Sequence, residues 1–265
     1  METSPESVNT HSASLLAIWK GRLVAMMSEP AIDACPEANP VANPGANSGT
    51  ALVENLNDGA HDLNHLHRVW TLACQLLREH PEADALVVLA ACYLHDYVNL
   101  PKNHPDRSRA SRLAAAQARR WLAAAGFPAD RLDAVCHAIE AHSHAARIAP
   151  RTIEACIVQD ADRLDALGAM GVARLFYTAG RMGSALAHPG DPLARTRPLD
   201  DRTYALDHVA AKLAGLPATM QTEAARRLGE ARLQWLNEFR DAFVAEWVRG
   251  AEGDDMAWPR WAEAA

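Results

Sequence analysis

The run from Leu86 to Leu94, Leu-Val-Val-Leu-Ala-Ala-Cys-Tyr-Leu, is apolar at every position. A helix that is apolar all round is stable only when other elements wrap it on every side. The run therefore predicts a central, buried helix from Asp84 to His95, and its surroundings read as helices too. His65 to Glu79 carries Leu66, Val69, Leu72, Ala73, Leu76 and Leu77 on a 3.6-residue period, and His80-Pro81 ends it. Ser108 to Ala125 is Ala-rich and closed by Gly126 and Pro128. Further helices are expected over Asp130 to Ala146, from about Thr152 to Leu164, around Ala166 to Gly180, and over Tyr204 to Leu213 and Thr219 to Arg249. Gly168, Ala169, Gly171 and Ala173 suggest close helix contact. His188 to Asp201, rich in Pro, Arg and Asp, reads as a loop. No alternating pattern of useful length and no internal repeat is present, so the fold class is all-α.

Composition narrows the function classes. The 265 residues are 49% hydrophobic and 22% charged, enough for a sizeable core. A formal charge of -7 argues against a nucleic-acid polymer as partner, which would call for a basic face. The five cysteines are odd in number, widely spaced and form no CxxC, which favours reduced core thiols and a cytoplasmic protein. No stretch reaches the roughly 18 apolar residues of a membrane span, and the acidic start Met-Glu-Thr-Ser-Pro-Glu is unlike a secretory signal. Residues 1–50 read as a mobile or weakly structured extension, because Ser28 to Thr50 is rich in Pro, Ala, Asn and Gly. Within it, Leu15 to Met27 reads as a short amphipathic helix. Residues 51–250 form the main domain and 251–265 a tail. Thr219 to Arg249 has apolar surface enough to pack on a neighbour, which leaves a homo-oligomer open.

The chemistry gathers around His95-Asp96 at the end of the apolar run. An aspartate at the end of such a helix is costly to bury unless it is paired or metal-bound. His65 lies in the helix before and Asp160 in a helix after, so His65, His95, Asp96 and Asp160 make a potential two-nitrogen, two-oxygen ligand set for a divalent ion. Asp160, Asp162 and Asp165 fall beside Ile157, Val158 and Leu164; Asp162 and Asp165 can share a face, while Asp160 points away from Asp162. Lys102, His104, Arg107 and Arg109 occupy or flank a proline-broken loop, and a mobile Lys near a metal is a natural phosphate contact. His137 and His142 lie five apart on a later helix, where His142 could serve as an acid, a phosphate contact or an additional ligand.

These motifs, in this order, resemble the HD-domain phosphohydrolases, and more closely their YedJ-like branch. The resemblance is carried by His61-Asp62-x-x-His65-x-x-Arg68-Val69-Trp70, by Ala90-Ala91-Cys92-Tyr93-Leu94-His95-Asp96 and by Pro101-Lys102-Asn103-His104-Pro105-x-Arg107. It continues through Val135-Cys136-His137-Ala138-Ile139-x-Ala141-His142-Ser143, Val158-Gln159-Asp160-Ala161-Asp162-Arg163-Leu164, Arg197-Pro198-Leu199-Asp200-Asp201 and Tyr204-Ala205-Leu206-Asp207-His208. It covers roughly residues 54 to 248. One departure is His144, where an aromatic residue would be expected.

The resemblance implies a helical domain holding one divalent metal, Mn, Fe, Co, Ni, Mg or Zn, through His65, His95, Asp96 and Asp160. It implies cleavage of a phosphate monoester or nucleotide phosphate bond by a metal-activated water. Lys102, Arg68, Arg163 and Arg197 would contact the substrate, His142 would assist, and Asp162 or Asp96 would take a proton. Two other readings share the scaffold. One is a di-iron oxygenase, which needs two extra histidines between the His-Asp pair and the last Asp. The other is a catalytically silent nucleotide-binding module.

Overall fold

The computed structural model describes residues 5–28, 62–98, 100 and 106–249. Among them nine α-helices occur: α1 (Pro5–Ser28), α2 (Leu63–Leu77), α3 (Ala85–Leu94), α4 (Ala110–Ala124), α5 (Leu132–His142), α6 (Ile153–Asp165), α7 (Gly168–Met182), α8 (Asp207–Ala211) and α9 (Glu223–Arg249). The fold is all-α; one isolated β-bridge, Ala185 to Tyr204, is the extended pairing among the described residues. No described helix is long and apolar enough to cross a membrane. Cys74, Cys92, Cys136 and Cys156 are all free thiols. The chain divides into two compact units, 1–162 and 163–265, with the division inside α6.

In the first unit α3 is the core. Every residue from Leu86 to Leu94 is buried, and α1, α2, α4 and α5 pack around it. Asp84 caps its start, accepting hydrogen bonds from the Leu86 N–H at 2.9 Å and the Val87 N–H at 3.4 Å. Arg131 bonds the other carboxylate oxygen of Asp84, and the Asp84 N–H donates to Glu154 at 3.0 Å. The start of the central helix is thereby tied to the segments leading into α5 and α6.

The helix expected over Leu15 to Met27 is present and longer than expected. Residues 5–28, within a segment expected to be weakly structured, form α1. Its stripe Trp19, Leu23 and Met27, spaced four apart, is buried, and α1 lies along α3. Trp19 meets the edges of Phe127 at 4.9 Å and Trp121 at 6.4 Å. Arg22 lies over the Trp19 ring at 4.9 Å and donates to the Ala125 carbonyl at 3.2 Å. The apolar all-round character of α3 is the reason: a fourth side had to be covered, and the stripe in Leu15 to Met27 covers it. The remainder of that extension and residues 250–265 lie outside the described residues.

In the second unit α7 packs on α9, with Phe176 against Phe239 at 6.1 Å and Phe243 at 5.8 Å. The small residues in the first turns of α7 serve a corner more than a helix interface. A Cβ on Gly171 would stand 2.2 Å from the Ala166 carbonyl oxygen, so only glycine permits the tight turn out of α6. Buried Asp165 pairs with Arg174 at 2.7 Å, and Arg232 donates to the Leu164 carbonyl at 2.7 Å. The helix expected over Tyr204 to Leu213 is shortened to α8, because residues 204–206 are held by the 185–186 backbone: the Ala205 N–H donates to Ala185 O at 2.8 Å, and the Leu206 N–H to Leu186 O at 3.0 Å.

Leu23, fully buried between α1 and α3, and Ile18, 51% exposed on the same helix, offer a paired test of the packing of α1. Leu23→Ala should cost about 3 kcal/mol of unfolding free energy, whereas Ile18→Ala should stay within about 0.5 kcal/mol. Urea denaturation of both variants reads the difference. Equal, small losses would show that α1 is not part of the core.

Candidate metal centre

Helix ends deliver the site. His65 sits in the first turn of α2, whose N-cap Asp62 accepts the His65 N–H at 2.9 Å. His95 is the residue that closes α3, with Asp96 next, and His142 is the last residue of α5. Asp162 lies in the last turn of α6. Around one point, His65 Nε2 stands 3.7 Å from Asp96 Oδ2 and 3.5 Å from Asp162 Oδ1. His95 Nε2 stands 3.5 Å and 3.8 Å from the same two oxygens. His142 Nε2 stands 3.6 Å from Asp96 Oδ1.

Those separations exceed charge-assisted hydrogen bonds, which run about 2.7–2.9 Å. They match the roughly 3–4 Å between neighbouring donors that each lie about 2.1 Å from one ion. The protonation states agree. His95 Nδ1 is 2.9 Å from the Cys92 carbonyl and His142 Nδ1 is 2.6 Å from the Ile139 carbonyl. A carbonyl only accepts, so each Nδ1 carries the proton, and the neutral His95 ring turns its Nε2 lone pair toward the carboxylates. His95 Nε2 is buried without a hydrogen-bond partner. Such a nitrogen is costly unless a cation receives it. Burial also pushes the pKa of His95 down to about 4, against the pull of Asp96, which keeps the ring in its ligating form. For His142, burial pulls the same way, but the hydrogen bond and charge of Asp96 outweigh it and the pKa is raised. The donor set therefore fits a divalent ion, with imidazoles and carboxylates suited to Mn, Fe, Co, Ni or Zn.

His65, His95 and Asp96 converge as expected, with His142 beside them. Of the α6 aspartates, Asp162 is the one grouped with them, and Asp160, two residues before it, is fully buried. The potential ligand groups among the described residues are His65, His95 and Asp162, and His95, Asp96 and His142. Helix phase explains the exchange. Ile157, Asp160, Ala161 and Leu164 are fully buried and recur at the spacing of a core stripe. Asp160 thus faces the core, where its charge, after burial, raises the pKa of Cys156. Asp162 lies about 200° further round the helix, on the face turned to the imidazoles. The core stripe was the signal in the sequence that could have separated the two aspartates.

The expected substrate contacts fare differently. Arg68 is half-buried, and its charge helps hold the Asp62 carboxyl low against the opposing effect of burial, together with hydrogen bonds from Asn64 and the His65 N–H. Arg163 donates to the Thr219 carbonyl at 2.7 Å and hydroxyl at 3.1 Å. Arg197 makes a two-pronged pair with Asp207 at 2.6 and 2.7 Å and donates to the Asp191 carbonyl at 3.2 and 3.0 Å and to the Pro198 carbonyl at 3.1 Å. Those bonds match the five N–H donors a guanidinium possesses. In this structure Arg197 fastens its own loop. Lys102 and His104 lie outside the described residues. His67 meets the Tyr93 hydroxyl at 2.7 Å through Nδ1, and His137 accepts the Arg151 N–H at 2.9 Å, so both are engaged elsewhere.

The fold and this cluster are those of a recognised class. The family model for the HD domain matches residues 62–167, a span that contains every residue of the cluster. The protein YpgQ of Bacillus subtilis is 34% identical over 183 residues, 68% of this chain and 80% of YpgQ. The chain belongs to the HD-domain family. The crystal structure of YpgQ in complex with ADP superposes with a TM-score of 0.54 at 32% identity, covering 74% of this chain and 89% of that one. An HD-superfamily hydrolase from Bacillus thuringiensis superposes with a TM-score of 0.60 at 25% identity, over 88% of this chain and 98% of that one. The fold is that of the HD-superfamily hydrolases.

Two variants of α6 discriminate the aspartates. Asp162→Asn should lose bound metal after dialysis, measured by elemental analysis, while Asp160→Asn should keep it and change thermal stability instead. The reverse pattern would restore Asp160 as the ligand. Arg197→Lys, which removes the two-pronged pair with Asp207, should lower the melting temperature and leave the metal stoichiometry unchanged; loss of metal would place Arg197 at the centre.

Proposed function

We propose that this protein is a metal-dependent phosphohydrolase of the HD class that acts on a nucleotide or another small phosphate ester. The observation carrying this reading is the convergence of imidazole Nε2 atoms and two carboxylates at 3.5–3.8 Å, with the His95 lone pair buried among them. His65, His95, Asp96 and Asp162 would hold the ion. A divalent ion bound there supplies Lewis acidity, lowering the pKa of a water and offsetting phosphoryl charge.

The chain's own contribution is positional. Cys92 O and Ile139 O fix the His95 and His142 rings, and Asp62 caps the turn that carries His65. Asp96 turns one oxygen to His65 and His95 and the other to His142, so a proton released at the reacting water has an acceptor at the edge of the cluster. Lys102, six residues beyond Asp96, and Arg68 are the proposed phosphate contacts. The ADP complex of YpgQ supports a nucleotide as substrate. One ion, not two, fits the described donors. The two potential ligand groups share His95, and one Nε2 lone pair serves one ion.

The test is metal content per chain, followed by phosphate release from nucleoside mono-, di- and triphosphates and p-nitrophenyl phosphate with Mn, Co or Ni. One equivalent of metal and hydrolysis abolished by chelation are expected. Asp162→Asn should lower turnover more than about 100-fold, since even outer-shell partners of a metal are worth 10–100-fold. Two equivalents of iron with oxygen consumption would replace this reading by an oxygenase. Nucleotide binding without metal or turnover would replace it by a binding module.

A further inference from the structure

We infer that Arg232 of α9 is a positioning residue for the metal centre: by gripping the end of α6 it fixes where that helix delivers Asp162. The inference rests on the metalloenzyme reading above and adds to it a residue remote in sequence. The Asp162 carboxylate reaches His65 and His95 at 3.5 and 3.8 Å, both beyond hydrogen-bond length, and no hydrogen bond among the described residues holds it. The His95 ring, by contrast, is locked through Nδ1 to the Cys92 carbonyl. The aim of Asp162 is therefore set by the backbone that carries it, the last turn of α6.

A helix end places a ligand poorly unless the end is itself held. Its last carbonyls lack partners within the helix, and its last turn is the first to open. Here each of the three residues after Asp162 is held. Arg163 donates to the Thr219 carbonyl at 2.7 Å and hydroxyl at 3.1 Å. The Leu164 carbonyl accepts from Arg232 at 2.7 Å and from the Leu167 N–H at 3.1 Å, which occupies both of its lone pairs. Asp165, 1% exposed, pairs with Arg174 at 2.7 Å. The stem of Arg232 runs along Gly168, where an added Cβ would stand 3.4 Å from Arg232 Cγ and the φ of 69° suits glycine. Three residues earlier on α9, Gly229 brings the helix against Met220, whose Sδ a Cβ would meet at 2.7 Å. Met220 follows Thr219, so one close approach of α9 serves the contacts of both Arg163 and Leu164. All of these contacts lie within the second unit, and Asp162 is one peptide bond before it. The span matched by the HD family model, 62–167, thus contains the ligand but not Arg174, Thr219 or Arg232, which hold its helix end.

The experiment measures Mn(II) affinity of the full-length protein by electron paramagnetic resonance of the free ion, together with hydrogen exchange across residues 160–167. Arg232→Ala should weaken Mn(II) binding about tenfold, as is usual for groups that orient a ligand, and speed exchange at the end of α6. Arg232→Lys, which keeps the stem and a donor, should recover part of both. Arg163→Ala, at an exposed contact with the same helix end, should move both readouts in the same direction and serves if Arg232→Ala does not fold. Phe176→Ala is the control for general loosening: it removes packing between α7 and α9 and should lower the melting temperature with affinity and α6 exchange unchanged. Wild-type affinity in the Arg232 and Arg163 variants, or equal weakening in Phe176→Ala, would overturn the positioning role while leaving the metalloenzyme intact. A wild-type protein that binds neither Mn(II), Co(II) nor Ni(II) would overturn the metalloenzyme reading and this inference with it.

Discussion

Burial of α3 on every side is the constraint on which the first unit depends. A helix with no polar face cannot lie on a surface, and nine consecutive buried residues oblige α1, α2, α4 and α5 to stand around it. Because the walls are complete along its length, polar groups can emerge only at its ends. At the start Asp84 takes up free N–H groups of the helix, while Arg131 donates to its carboxylate and Glu154 accepts the Asp84 N–H. At the other end His95 and Asp96 emerge, where His65, His142 and Asp162 meet them. The location of the centre is thus a consequence of the core.

The same helix ends set the electronic state of the ligands. The last carbonyls of an α-helix have no N–H partner within the helix. The rings at the ends of α3 and α5 each use one, three residues back: His95 bonds Cys92 O, and His142 bonds Ile139 O. One economical device therefore satisfies an orphan carbonyl, fixes a tautomer and aims a lone pair. Metal-binding histidines in general need such a partner for the remote nitrogen. Here the backbone supplies it, so that no further side chain is required at either ring.

The helical class and most element positions were legible in the sequence, and each side chain that converges here was among its candidates, because periodicity and a dipeptide at the end of an apolar run point to them. Motif position pointed to Asp160, whereas helix phase brings Asp162 to His65 and His95. The packing of Trp19, Leu23 and Met27 was harder to see: the stripe is short, interrupted by Lys20 and Arg22, and followed by a Pro- and Asn-rich segment. It becomes compelling only when α3 is seen to need a further wall. The role of Arg197 was not readable at all, since its partners Asp191 and Asp207 are joined to it by loop geometry that no periodicity encodes.

The span matched by the HD family model begins at residue 62, yet a wall of its core, α1, comes from residues 5–28. During synthesis that wall is made first and its partner later. Seventy-one residues separate Leu23 from Leu94, about 4 to 14 s of elongation at ordinary rates. Through that interval the Trp19, Leu23 and Met27 stripe is without the α3 surface it covers. The wall and the helix it covers are thus joined late, so the first unit can close only after α3 has been made.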